Sequence, residues 1–330
     1  MTQQASAEDR SSITDAIELL RGSTDDVMRG ISLIDDAADR HEAQALERKA
    51  VLEAMGCARP QNWEAALDCL HEAAERGSEH AQRQMLLLAR AGAQPAQKNW
   101  DWAAIRSAIS LEKLAQVPPK LPLSESPRLR VMEGFLSHDE CEWLILRARE
   151  RLRRAAVVNR AGVMTVEAAR TNSGVEFMVA DMDLVIEAIR VRIGAATRLP
   201  LPLFEPVQVL HYAPGQEFKP HHDFFDPKLP GHAEQIRKHG QRIATFLIYL
   251  NDDYTGGETA FPHAQISYRG KAGDALFIAN VERSGQPDAL TLHAGTAPIS
   301  GEKWILSQWI GDRVPRAPTV ATDLREVPRP

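Results

Sequence analysis

Cysteine is scarce in this chain: Cys57, Cys69 and Cys141 are the only three, odd in number and without metal-site spacing. That excludes a disulfide scaffold and a zinc ribbon, and the thiols read as reduced, as in a cytoplasmic protein. Long apolar runs are missing, so no membrane span is expected. Met1 to Arg10 is polar and lacks the apolar core of a secretory leader. A basic surplus is absent as well. Lys and Arg number 39 against 45 Asp and Glu, a net charge of −6 that leaves no electrostatic footprint for nucleic acid. The one locally basic stretch, Arg147, Arg149, Arg151, Arg153 and Arg154, reads as a solvated helix face.

What is present is an ordinary globular composition, 44% hydrophobic and 25% charged over 330 residues, a length that favours two domains. The first third has helical periodicity and repeats itself. Ala37-Ala38-Asp39-Arg40 recurs as Ala73-Ala74-Glu75-Arg76, and Ala45, Leu52 and Gly56 recur as Ala81, Leu88 and Gly92, every pair offset by 36. Ile31 and Ile34 fall on Leu67 and Leu70 in the same way, and Asn99-Trp100 echoes Asn62-Trp63. A period of this length, with small residues where helices approach closely, marks stacked αα-hairpins.

Residues 117–127 are rich in proline and without periodicity, which reads as an extended linker. Beyond it, Ser137 and Glu140 form a capping box for a helix reaching about Arg153. Leu184, Ile186, Ile189 and Ile193 predict a second helix over about Asp181–Ala196. From Val207 onward short strands dominate, and their spacing predicts a sandwich or barrel. Asp226 to Gly240 reads as a charged flap, and the Pro- and Arg-rich tail over 314–330 as disordered.

The chemistry-bearing residues cluster in this C-terminal part. His221 and Asp223, two apart at a strand end, share one face, while His222 between them points away. With His293 they make two imidazoles and one carboxylate, a donor set suited to non-haem Fe(II) that leaves positions open for O2 and a co-substrate. Lys303, ten positions past His293, would supply a positive charge for a dicarboxylate. The bare H-x-D pattern is weak in a chain with eleven histidines, and a one-residue slip would exchange His221 for His222.

The flanks carry more. In order they are Tyr212-Ala-Pro-Gly215-Gln216-Glu-Phe218 before the first histidine, then Gln241-Arg242-Ile-Ala-Thr245, then Gly256-Gly257-Glu258-Thr259-Ala-Phe261-Pro262. They continue with Gly273-Asp274-Ala-Leu-Phe277, Leu292-His293-Ala-Gly295 and Gly301-Glu-Lys303-Trp304. Over about residues 128–313 these blocks resemble the catalytic domain of the prolyl 4-hydroxylase family of 2-oxoglutarate/Fe(II) dioxygenases. Residues 25–95 resemble Sel1-like repeats, relatives of the tetratricopeptide unit.

Together the resemblances imply an α+β two-domain chain. A helical repeat region over 1–116 would precede a double-stranded β-helix (jelly-roll) with supporting helices over 128–313. They imply His221, Asp223 and His293 as catalytic iron ligands. Lys303 and Thr245 would meet the distal carboxylate of 2-oxoglutarate, with Tyr212 beside it, and Arg170 of Arg170-Thr-Asn-Ser173-Gly174 would lie on the substrate side. The cofactors implied are Fe(2+), 2-oxoglutarate and O2, with L-ascorbate to restore the iron. The activity implied is hydroxylation of an unactivated C–H bond, with 2-oxoglutarate decarboxylated to succinate and CO2. Proline in a peptide or protein is the expected substrate, and a protein partner is expected on the repeats. Two alternatives stand beside this: hydroxylation of a free amino acid or small metabolite, and a repeat-based interaction protein that senses oxygen or 2-oxoglutarate.

Overall fold

The computed structural model describes residues 13–90, 100–155, 157–158, 164–165 and 169–314, with the backbone alone for 157–158 and 164–165. Gly92, Asn99 and nearly all of the tail expected to be disordered therefore lie outside the described residues. Two compact units divide the chain. One holds the described residues up to Gln116 together with Phe177–Arg192; the other holds Val117–Glu176 and the described residues from Ile193 onward.

The first unit is helical: α1 (Thr24–Asp39), α2 (Ala43–Met55), α3 (Trp63–Glu75), α4 (Glu79–Leu88), α5 (Trp102–Ala108) and α6 (Leu111–Leu114). Side-chain oxygens start five of these six helices by accepting otherwise unpaired N–H groups, α2 being the exception. Ser23 caps α1 in a capping box with Asp26, Asn62 caps α3 and Ser78 caps α4. The 36-residue offset appears in three dimensions: α1 and α3 end at equivalent positions, and α2 and α4 begin at equivalent positions. The turn after each first helix needs one left-handed residue, and His41 (φ 61) and Gly77 (φ 86) supply it at matching places. The recurrent alanines lie where the helices meet: Ala37, Ala38, Ala45, Ala73, Ala74 and Ala81 are all buried, as are Ile34, Leu52, Leu67 and Leu70.

The second unit is built on two sheets. Its strands are β1 (Leu121–Glu125), β2 (Arg128–Met132), β3 (Arg153–Arg154), β4 (Val157–Val158), β5 (Met164–Thr165), β6 (Ser173–Phe177), β7 (Val207–Tyr212) and β8 (Phe218–His221). They continue as β9 (Arg242–Tyr249), β10 (Thr255–Gly256), β11 (Thr259–Phe261), β12 (Ile266–Tyr268), β13 (Ala275–Ala279), β14 (His293–Gly295), β15 (Pro298–Ser300) and β16 (Lys303–Gly311). The larger sheet has the order β1-β2-β13-β9-β16-β7-β6-β3, and a four-stranded sheet runs β12-β11-β14-β8. Alternation explains the core between them. Leu129, Val131, Leu210, Tyr212, Leu247, Tyr249, Leu276, Ile278 and Ile305 of the larger sheet close on Phe261, with Phe218, Ile266 and Tyr268 of the smaller sheet packed against the cluster. This is the sandwich of a jelly-roll.

The other face of the large sheet is also apolar, with Val209, Phe246, Ile248 and Leu306 buried. α7 (His138–Arg149), started by the Ser137–Glu140 capping box, lies against β7, and Phe135 meets Phe246 at 5.0 Å with the rings tilted. α8 (Leu184–Thr197) buries Leu184, Ile186, Ile189 and Ile193, the residues whose spacing predicts it.

Two readings of the sequence are corrected here. The proline-rich stretch read as a linker contains β1, which pairs with β2. β1 is the outermost strand, where the missing N–H of Pro122 removes no ladder bond between interior strands. The stretch read as a flap folds into α9 (Pro230–His239). Pro230 at its first turn presets the helical φ, and Glu234 pairs with Lys238 one turn on at 3.0 Å. Too few apolar residues mark this helix for a periodicity argument to find it.

Candidate active site

β8 and β14 pair antiparallel with His221 directly opposite His293, and Asp223 follows two residues beyond the end of β8. Histidines on facing strands are thereby brought to a ring separation of 4.4 Å. Asp223 closes the set, its oxygens 3.6 Å from His221 Nε2 and 3.5 Å from His293 Nε2. One ligand atom from each residue lies within 4.8 Å of the others, the one such cluster among the described residues. Neighbouring ligands around a first-row ion with bonds of about 2.1 Å lie about 3 Å apart, so a small inward adjustment would seat an ion.

The backbone sets the ring orientation. His221 Nδ1 faces the Lys219 carbonyl at 2.8 Å, and His293 Nδ1 faces the Thr291 carbonyl at 2.9 Å. A carbonyl can only accept, so each Nδ1 carries the proton and each Nε2 keeps its lone pair for a metal. Burial pushes the His293 imidazole down to about 4, against the pull of Asp223, so the ring is neutral at neutral pH. Burial alone would raise the Asp223 carboxyl, but it is held below the usual carboxylate range, and the hydrogen bond donated by the Thr245 hydroxyl favours its ionised form. A neutral His293 imidazole and an ionised Asp223 carboxylate are the forms that bind metal. Phe218 stacks on His221 at 3.5 Å with nearly parallel rings.

Lys303 opens β16 directly opposite Tyr212 at the end of β7. Its side chain is wholly buried, and Nζ has no hydrogen-bond partner. The ammonium lies 5.3 Å from the Tyr212 ring centre and 5.6 Å from that of Tyr249. Burial pushes it down to about 7, with Glu258 acting in the opposite direction. A buried ammonium without a partner is costly unless an anion meets it. Gly295 leaves room here, since a Cβ on it would stand 3.2 Å from the Tyr212 hydroxyl. Burial raises the Tyr212 phenol to about 12, so it stays a neutral donor.

Thr245 does not stand with Lys303. It lies opposite Trp309, six residues further along β16, and its hydroxyl donates to Asp223 Oδ2 at 2.7 Å. Asn280 Nδ2 in turn donates to Thr245 Oγ1 at 2.9 Å. With its single proton on Asp223, Thr245 braces the carboxylate and does not share a distal anion with Lys303. Arg170 bridges to Phe218, lies 4.7 Å above that ring and donates from Nε to Asn172. Arg170, Phe218 and His221 thus form one stack. Arg170, His221 and Asp223 line a cavity of about 1170 Å³ with Phe218, Phe225 and Trp309.

Three other histidines near the site have structural partners. His222 turns away from the cluster toward the Ala289 carbonyl, and His211 packs on Trp304 beside Glu302. His232 is half-buried and accepts the Asp226 N–H. Sequence reasoning missed Phe218 and Asn280, and it missed the Lys219 and Thr291 carbonyls altogether. Any residue type can supply a carbonyl, so no sequence signal marks the last two.

The donor set, the buried ammonium and the sandwich together define a 2-oxoglutarate/Fe(II) oxygenase. Residues 207–311 match the 2OG-Fe(II) oxygenase superfamily. Prolyl 4-hydroxylase 1 of Arabidopsis thaliana is 36% identical over 224 residues, covering 63% of this chain and 77% of the relative. Probable prolyl 4-hydroxylase 4 of the same plant is 34% identical over 247 residues, covering 67% of this chain and 81% of the relative. Among solved structures, a viral collagen prolyl hydroxylase from Paramecium Bursaria Chlorella virus-1 in complex with 2OG is 30% identical. It covers 55% of this chain and 94% of its own, with a TM-score of 0.43. The chain belongs to the prolyl 4-hydroxylase family of 2-oxoglutarate- and Fe(II)-dependent dioxygenases.

Proposed function

We propose that this protein hydroxylates proline residues within a peptide or protein. The size of the cavity beside His221 and Asp223 carries the reading. At about 1170 Å³ it exceeds the ~300–1,000 Å³ usual for small-molecule pockets, whereas a free amino acid would fill only a small part of it. The names of the relatives point to the same substrate.

In this reading His221, Asp223 and His293 hold the iron. Thr245 and Asn280 brace Asp223, and the Lys219 and Thr291 carbonyls fix the two rings. When bound, Fe(II) supplies the site at which O2 is activated as 2-oxoglutarate leaves as succinate and CO2. Lys303 takes the distal carboxylate as a point charge in a dry site, and Tyr212 donates from beside it. Arg170, held over Phe218, faces the substrate. Ascorbate would restore iron oxidised in turnovers without substrate. The 36-residue helical hairpins are assigned as Sel1-like repeats, residues 128–313 as the dioxygenase domain, and the cytoplasm as its location. No described helix is long and apolar enough to cross a membrane.

The test measures succinate formed by the full chain with Fe(II) and 2-oxoglutarate, with and without proline-rich peptides. Stimulation by a peptide, with at least a ~100-fold loss in His293→Ala, is expected. Stimulation by free proline and by no peptide would favour the metabolite reading. Fe(II) binding unchanged in His293→Ala would overturn the ligand assignment.

A further inference from the structure

The basic run at the end of α7 has no part in the chemistry above, yet the fold gives it a definite position. α7 ends at Arg149, and the chain then turns into β3, the edge strand opposite β1 in the eight-stranded sheet. The turn carries Arg151, Arg153 and Arg154 to the wall of the cavity that also holds His221 and Asp223. Arg153 and Arg154 are exposed. Arg153 Nη1 donates to its neighbour's carbonyl, Leu152 O, at 3.0 Å, and among the described residues neither arginine meets a carboxylate. Lys228, exposed between β8 and α9, adds a further exposed cation to the same cavity.

The acids of that cavity are already engaged. Glu205 holds Arg242 through two hydrogen bonds of 2.6 and 2.7 Å. Asp223 receives Thr245 at 2.7 Å, Glu176 receives Gln208 at 2.5 Å, and Asp226 receives the Lys228 N–H at 2.9 Å. Arginine and lysine side chains of the lining number six against four carboxylates, a positive balance that attracts the opposite sign locally even in a chain of net charge −6.

We infer that Arg153, Arg154 and Lys228 form a basic lip that selects polypeptide substrates with acidic residues flanking the target proline. The inference rests on the peptide reading above and adds the chemistry of the flanks. Each exposed pair contributes a factor of about 1.5 to 5, so the lip as a whole favours an acidic over a neutral flank by about tenfold in kcat/KM. The preference fades at high salt because the lip faces water.

The experiment compares kcat/KM for three proline-rich peptides that differ only in flanking residues: glutamate, glutamine or lysine. The full chain and an R153E/R154E variant are assayed at 50 and 500 mM NaCl. The expected order for the natural chain is glutamate, glutamine, lysine, compressed at 500 mM, with the glutamate-to-lysine ratio reversed in the variant. A single Lys228→Gln variant, far from β3 in sequence, should reduce that ratio without reversing it. Turnover of all three peptides at equal kcat/KM would overturn the basic lip and leave peptide hydroxylation standing. No turnover of any peptide would overturn both.

Discussion

The helical unit and the β-sandwich bury polar groups for opposite ends. In the helical unit, arginines and a glutamine satisfy backbone groups between the first helices and a segment drawn from later in the chain, Phe177–Arg192. Arg48 donates to the carbonyls of Ala180 and Met182 at 3.1 and 3.0 Å, Arg192 donates to Leu114 O, and Gln84 accepts the Leu184 N–H. Arg21 clasps Asp181. In the sandwich, the wholly buried Lys303 has no hydrogen-bond partner, and His221 and His293 keep their Nε2 atoms for a ligand. The difference separates stability from function. Polar groups that hold a fold together find their partners within it, and groups that bind leave a valence to be met from outside.

Matched substitutions should break the comparison most sharply. Lys303→Met removes an unmet ammonium, so the ligand-free protein should gain about 1–3 kcal/mol in urea unfolding. KM for 2-oxoglutarate should meanwhile rise about 10- to 100-fold with the loss of a charge-assisted hydrogen bond. Arg48→Met, the same change of character in the other unit, should destabilise by about 2–5 kcal/mol, because two carbonyls lose their donor. Equal signs in the two unfolding experiments would refute the contrast.

pH should separate the same residue from its surroundings. Lys303 is depressed to about 7 in the folded protein from 10.5, so between these values the unfolded chain holds more protons than the native one. Its contribution to stability therefore rises with pH across that window, and the penalty is full below 7. Binding of a dicarboxylate raises the lysine again and takes up a proton. The dissociation constant for 2-oxoglutarate should thus weaken by up to about tenfold per pH unit above 7, and calorimetry on Lys303→Met should lose that slope.

A smaller effect is expected one contact away from the metal ligands. Thr245→Val removes the donor to Asp223 and should weaken Fe(II) binding by about tenfold, read by titration under anaerobic conditions. Unchanged affinity would mean that the strand alone orients the carboxylate. The smallest effect compares the two capping boxes, one in each unit. Ser23→Ala and Ser137→Ala should each cost about 1 kcal/mol, seen as a few degrees in thermal unfolding.

Much of this architecture was legible along the chain because its signals are local. The 36-residue offset placed four helices, since the residues that cap, turn and pack recur with it. The two-residue spacing of His221 and Asp223 put both on one side of a strand end, and the order of the flanking blocks named the family. Local signals also misled. Prolines concealed an edge strand at β1, and a charged helix at α9 looked like a flap.

By itself the sequence determined which side chains are suited to the proposed chemistry, two imidazoles, a carboxylate and a lysine, because donor type and charge belong to the residue. Only the tertiary structure decided how they combine. The β8–β14 register sets His221 against His293, two carbonyls fix their tautomers, and Thr245 goes to Asp223 instead of standing with Lys303. The same holds for the basic run, which reads as a solvated helix face and reaches the cavity only because the sheet ends at β3. His221 and His293 lie 72 residues apart in the chain, and no short stretch of sequence records the strand register that joins them.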